Sequence, residues 1–306
     1  MRYEEPLFRP PAEAESLIFQ VAFGCPHNRC RFCGMYKTVK YRLRPEAEVL
    51  AEIAEAEEEY PETRRIFLAD GDVMALPFDR LKTYLEALNA AFPRLCRINV
   101  YANGSSIGGK RVAQLEMLRK LKLHTLYMGL ESGSQEVLDL FGKTERVDEM
   151  IAASVTAQKL GFRCSVMILI GLGGKTLREE HIRQTASALN RMQPALLSAL
   201  RFIPVPGLAL PEGFSPVTEY QAVEELREII SRLELNHTVF RANHTSNPVP
   251  LAGRLPQDRE ALCGELSRQL ASGALDRRGA RGGPLFFLGG GGGFPPPPLF
   301  FSGGSL

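Results

Sequence analysis

Cys25, Cys30 and Cys33 lie within the stretch VAFGCPHNRCRFCGMYK and make up half of the six cysteines in the 306-residue chain. Their spacing is C-x4-C-x2-C, directly after an apolar run. Thiolates are soft donors suited to iron–sulfur clusters or zinc, and both normally complete four positions per metal. Three sulfurs therefore leave one position to fill. Either the site is a Cys3His zinc knuckle with His27 as the fourth ligand, or it is a cluster with one iron left open for an exogenous ligand. A zinc knuckle serves small domains that lack a core. This chain is 44% hydrophobic and 24% charged, and can build a core without such a staple, which favours the cluster.

The elements that must hold this loop follow from periodicity. Apolar runs at 17–23, 65–70, 97–103, 125–132, 163–171 and 196–204 read as strands buried on both faces. Helical patterns near 45–59, 77–92, 109–122, 145–161 and 175–192 lie between them, with Pro45 and Pro77 at helix starts, Thr144 as an N-cap and Gly161 as a stop. Strict β/α alternation predicts an α/β fold with a parallel sheet, either doubly wound or curled into a TIM-like barrel or partial barrel. In such folds the chemistry sits just after the strands. Those positions hold the cysteine loop, Asp70-Gly71-Asp72, Asn103-Gly104-Ser105-Ser106, Glu131-Ser132-Gly133-Ser134, Gly171-Leu172-Gly173-Gly174 and Arg201.

With these residues in place, the sequence resembles the radical SAM superfamily, whose partial (β/α)6 barrel carries three cysteines after its first strand. Phe32, the aromatic directly before the last cysteine, matches as well. The usual spacing is C-x3-C-x2-C, and here one additional residue separates Cys25 from Cys30. The likeness extends in layout over about residues 15–205. It implies that Cys25, Cys30 and Cys33 hold a [4Fe–4S] cluster whose fourth iron receives S-adenosylmethionine.

Further roles follow from the same resemblance. Asp70, Gly71 and Asp72 would accept hydrogen bonds from the methionyl ammonium, with Asp72 the better positional match. Glu131 would contact the ribose or the methionine; alternatively it is paired to an arginine, for which Arg201 is a candidate. Arg201 could instead hold the methionyl carboxylate. MILIGLGGK, with Gly171 and Gly173, resembles the family's glycine-bearing fifth-strand motif, where adenine approaches the backbone. A P-loop is excluded, because Leu169 stands where G-x4-G-K-[ST] needs glycine. The G-C-x-H-N opening and the R-A-N-H-x-S-N stretch resemble a group near oxygen-independent coproporphyrinogen oxidase and the tRNA-modifying members. The implied electron donor is a flavodoxin- or ferredoxin-like protein.

Four divisions are expected: a lead-in over 1–16, the barrel over 17–205, a helical C-terminal extension over 206–276 and a Gly/Pro-rich tail over 277–306, read as disordered. Within the extension, helices are expected near 217–233 and 256–272. The intervening HTVFRANHTSN, with His237, Arg241, Asn243, His244 and Asn247, either lines the barrel mouth or forms a solvated edge. Cys96, Cys164 and Cys263 read as buried small hydrophobes, and His124 and His181 as structural residues.

The net charge of +2, without a basic run, gives no footprint for sequence-independent nucleic-acid binding. The opening MRYEEPLFRPPAEAES has no signal or transit character, and no apolar run reaches membrane length. A cytoplasmic location is expected, where thiols stay reduced and a cysteine group is more readily metal-binding than disulfide-forming.

Overall fold

The six apolar runs form a curled parallel sheet, as buried β-rich segments alternating with amphipathic helices must. A computed structural model describes residues 1–276; the expected tail at 277–306 lies outside them. Strands β1 (Leu17–Gln20), β4 (Arg65–Ala69), β5 (Arg97–Ala102), β6 (Leu123–Glu131), β7 (Arg163–Ile170) and β8 (Leu196–Arg201) lie side by side in that order. All neighbouring pairs among them are parallel. The first run is interrupted after Gln20: β2 (Ala22–Phe23) leaves the main sheet and pairs antiparallel with β3 (Arg42–Leu43). This small ribbon ties both ends of the cysteine segment together.

The helices are α1 (Glu46–Glu59), α2 (Phe78–Ala91), α3 (Gly104–Gly108), α4 (Val112–Lys120), α5 (Gln135–Leu140), α6 (Val147–Lys159), α7 (Arg178–Met192), α8 (Glu219–Ser231) and α9 (Arg259–Ala271). The pattern near 109–122 resolves into α3 and α4, and α5 is an additional short helix before α6. The N-cap of α6 is Arg146 rather than Thr144, while Gly161, at φ +85°, follows its C-cap as the left-handed stop. Between β4 and α2, Val73–Ala75 forms one 3-10 turn.

The extension contains more than helices. β9 (Thr238–Ala242) joins the main sheet parallel to β8, and β10 (Leu251–Leu255) pairs antiparallel with β9 as the edge strand. Thr238, Phe240 and Ala242 are buried while Arg241 is exposed, so β9 alternates as a strand with one face in the core.

Helix-facing strand residues such as Ile66, Val100, Leu126, Val166, Leu197 and Phe240 belong to the main core and are fully shielded. Burying side chains of this kind stabilises the fold by roughly 1.5–3 kcal/mol each. The opposite face lines the lumen. There Phe67 packs edge-on against Tyr101, ring centroids 5.2 Å apart, and Tyr127 joins them. Glu13 of the lead-in reaches under this group: its Oε1 accepts from Asn99 Nδ2 at 2.9 Å and from the Tyr127 hydroxyl. The lead-in thus fills the lower lumen on the β5–β6 side. No helix among the described residues is long and apolar enough to cross a membrane.

Candidate functional site

Gly24, at φ +80°, turns the chain out of β2 and into the cysteine loop. A short turn follows in which the Cys33 amide donates to the Cys30 carbonyl at 3.3 Å, and the Arg31 amide is fixed by the Phe141 carbonyl at 2.7 Å. The three thiols are free and close enough to raise one another's proton affinity. Burial is the dominant cause: it pushes Cys25 up to about 12 and Cys30 up to about 11, and Cys33 also moves upward. Lys143 counteracts this at Cys30. Three half-buried thiolates cannot persist side by side without positive charge between them. An all-sulfur set of this kind fits an iron–sulfur cluster, whose irons supply that charge.

His27 is turned elsewhere. Its Nε2 donates to Asp72 Oδ2 at 2.9 Å, and this hydrogen bond raises its proton affinity. Among the described residues, no three His, Cys, Asp or Glu side chains form a ready single-ion site. In a cube, by contrast, each cysteine meets a different iron.

Asp70-Gly71-Asp72 leaves β4 directly behind the first cysteine. Gly71 donates its amide to the Gly24 carbonyl at 3.0 Å, and a Cβ on it would stand 2.8 Å from Cys25 Sγ. Only glycine lets the two segments approach this closely. Asp72 is buried and saturated: besides His27 it accepts from Asn103 Nδ2 at 3.2 Å and from Ser106 Oγ at 2.9 Å. Asp70 differs. It sits at φ +103°, accepts from Gln20 Nε2 at 3.0 Å through Oδ2, and buries Oδ1 outside any fully formed hydrogen bond among the described residues. The Tyr36 hydroxyl stands next to this carboxylate as a donor that opposes its rise. Burial raises the Asp70 carboxyl to about 7, against the opposing donors Gln20, Tyr36 and the Gly24 backbone.

Glu131 ends β6 at φ +65°, where the register shifts between Gly129 and Glu131. Its side chain folds over Gly129, the space a Cβ would need there being taken by the carboxylate itself. Glu131 Oε1 lies 3.8 Å from Lys143 Nζ, which also donates to the Gly129 carbonyl; Oε2 is buried without a partner. Desolvation raises this carboxyl and the lysine opposes the rise. Arg201, the candidate partner under the alternative structural reading, does not pair with Glu131. It lies on β8, beyond β7, and its Nη1 faces Glu219 Oε1 at 3.4 Å, while Nε has no partner among the described residues. Lys143 escaped the sequence reading because the loop after α5, not any motif spacing, carries it back.

Gly171, at φ +85°, and Gly173 require glycine for packing. A Cβ on Gly171 would meet Val217 Cγ2 at 2.6 Å, and one on Gly173 would meet His181 Cβ at 2.8 Å. The Gly171 amide donates to Glu225 Oε1 at 2.5 Å. His181, fully buried as its structural reading requires, shares a hydrogen bond with Ser132 Oγ at 2.8 Å and so links this loop to the one after Glu131. Phe32 leans on Phe141, centroids 6.2 Å apart, within a cluster that includes Phe202 and Phe214. Cys164 is buried, Cys263 is half-buried, and Cys96 is exposed, contrary to expectation.

The fold thus defines a partial α/β barrel with a three-thiol loop at the C-terminal ends of its strands. Coproporphyrinogen III oxidase (HemN) from Escherichia coli shares it with a TM-score of 0.55 at 19% identity, over 71% of this chain and 51% of that one. Methylornithine synthase (PylB) does so with a TM-score of 0.50 at 16% identity, over 84% and 81% of the two chains.

The profile of the Radical SAM superfamily matches residues 19–186, more than half of the sequence, and the chain belongs to that superfamily. The enzymes of this family use a [4Fe–4S] cluster and S-adenosylmethionine. Among curated proteins, the chain is 22% identical over 175 residues to the heme chaperone HemW of Bacillus subtilis (strain 168), covering 54% of this chain and 45% of that protein. It therefore spans less than half the length of that relative.

Proposed function

We propose that this protein is a radical SAM enzyme in which Cys25, Cys30 and Cys33 hold a [4Fe–4S] cluster with one iron open to S-adenosylmethionine. The observation that carries the reading is the three-thiol loop whose one neighbouring histidine is committed to Asp72. With an electron from a flavodoxin- or ferredoxin-like donor, the bound pair supplies a 5′-deoxyadenosyl radical for hydrogen abstraction from a substrate.

The chain's own residues orient the cofactor and exclude water. The Asp70 carboxylate, beside the Tyr36 hydroxyl, and Glu131 Oε2, which has no hydrogen-bond partner among the described residues, are buried acceptors suited to the ammonium and hydroxyl donors of S-adenosylmethionine. Asp72 fixes the loop by clamping His27. Lys143 offers a cation for the methionyl carboxylate, and Arg201 sets the wall at the end of β8. Phe32 supplies an apolar surface, and the Gly171–Gly174 backbone offers unadorned amides and carbonyls to the adenine. The reduced thiols this site needs are those of a cytoplasmic protein.

The decisive experiment is anaerobic reduction by dithionite in the presence of S-adenosylmethionine, assayed for 5′-deoxyadenosine. The intact chain forms it, and Cys30→Ala forms none. A colourless protein carrying stoichiometric zinc would instead establish the Cys3His alternative.

A further inference from the structure

The lumen is filled on one side and open on the other. On the β5–β6 side it is occupied by Phe67, Tyr101, Tyr127 and the Glu13 bridge of the lead-in. Across β7 to β10, lumen-facing residues such as Met167, Ser198 and Val239 are partly exposed, while Arg241, Ala252 and Arg254 are exposed.

Register fixes what shares this open face. Gly129, Met167, Ser198, Arg241 and Ala252 form one continuous row. The row beneath it runs through Tyr127, Ser165, Leu196, Val239 and Arg254. Arg241 and Arg254 are thus diagonal neighbours on adjacent antiparallel strands, with Cβ atoms on the order of 7–8 Å apart. Phe240 and Leu255 occupy the opposite face and are packed into the core, which directs both arginines into the lumen.

Among the described residues neither guanidinium is ion-paired to a carboxylate. Arg241 Nη1 donates to the Phe240 carbonyl at 3.2 Å, and among the described residues the Arg254 side chain forms no hydrogen bond or ion pair, its amide donating to Asp258 Oδ2 at 2.7 Å. Elsewhere in the extension Arg232 pairs with Glu228 at 3.0 Å and Arg268 with Glu265, whereas Arg259 donates to the Leu233 carbonyl. Two unpaired forks one pleat apart can close on one planar oxyanion from two directions. By register they lie one and two rows below Glu131, three and four strands along the sheet from β6.

We propose that Arg241 and Arg254 form the recognition site for an oxyanion-bearing substrate, its anionic group held at the β9–β10 edge and its reacting carbon directed toward the cysteine loop. This rests on the radical SAM reading for the position of the chemistry, but not for the binding itself. The competing role for two arginines at an edge is to keep strands of neighbouring molecules from pairing.

The test is titration calorimetry of the full chain at low salt with citrate and with inorganic phosphate. S-adenosylmethionine affinity is measured on the same samples to report separately on the cofactor reading. One saturable site is expected; stronger binding of citrate identifies a carboxylate substrate and stronger binding of phosphate a phosphorylated one. Arg241→Gln and Arg254→Gln each weaken that site at least tenfold, whereas Arg232→Gln leaves it unchanged. Circular dichroism melting verifies that the variants remain folded, as exposed positions allow. The proposal is overturned if neither probe saturates, or if the double variant binds as the parent does. Self-association of that double variant with unchanged binding assigns the arginines to edge protection.

Discussion

Lys143 Nζ lies 3.8 Å from Glu131 Oε1, and each side chain is only 6% exposed. Removing one partner of a buried pair leaves an uncompensated charge, at a cost of about 3–5 kcal/mol. Lys143→Met is therefore expected to lower the melting temperature and to weaken S-adenosylmethionine binding at least tenfold. Lys143→Arg, which keeps the charge, restores much of both. Equilibrium dialysis with labelled cofactor checks this, and parental affinity in Lys143→Met would remove the lysine from the site.

Asp70 gives the cluster-free protein a pH signature. Its carboxyl titrates near 7 in the folded chain against roughly 3.9 in an unfolded one. Between those values the folded state retains a proton that the unfolded state has released. The stability this group contributes is complete below about pH 4 and is lost as pH rises through 7. Asp70→Asn removes the dependence. Thermal melts from acid to neutral pH should flatten in the variant, and parallel curves would show that this carboxyl titrates normally.

Gly71→Ala places a methyl 2.8 Å from Cys25 Sγ and 2.9 Å from Cys25 Cα. The first cysteine has to retreat, and loss of its ligand position costs the cluster before it costs the fold. Iron analysis after anaerobic reconstitution should show less than roughly half the parental content, with the far-ultraviolet dichroism unchanged. Full iron loading in this variant would mean that Cys25 is not a ligand.

His27→Ala separates the two metal readings. Because the imidazole is held by Asp72, its loss should leave iron and sulfide content intact while loosening the turn before Cys30. A variant that no longer binds metal would make the histidine a ligand and support zinc.

The strands of the barrel were legible because parallel strands are apolar on both faces, and the residues at their ends stood out for the same reason. The pairing of Glu131 was not. Arg201 suits the charge, but two strand spacings of about 4.8 Å separate β6 from β8, and the bulge before Glu131 turns it toward Lys143 instead. The β9–β10 hairpin was hidden by its composition. In HTVFRAN only alternate residues are apolar enough to bury, and in LAGRL a glycine and an arginine dilute the pattern, so neither resembles the doubly buried strands before them. The glycines at 171 and 173 were legible as glycines, whereas their neighbours Val217 and His181 come from distant sequence.

Electron paramagnetic resonance of the reduced, reconstituted protein before and after addition of S-adenosylmethionine tests the open iron most directly. If three thiols ligate the cluster and the fourth corner receives the cofactor, the signal changes shape and g-values on addition, and does so equally in His27→Ala. A spectrum indifferent to S-adenosylmethionine would mean that the corner is closed by the protein, and the account would fail.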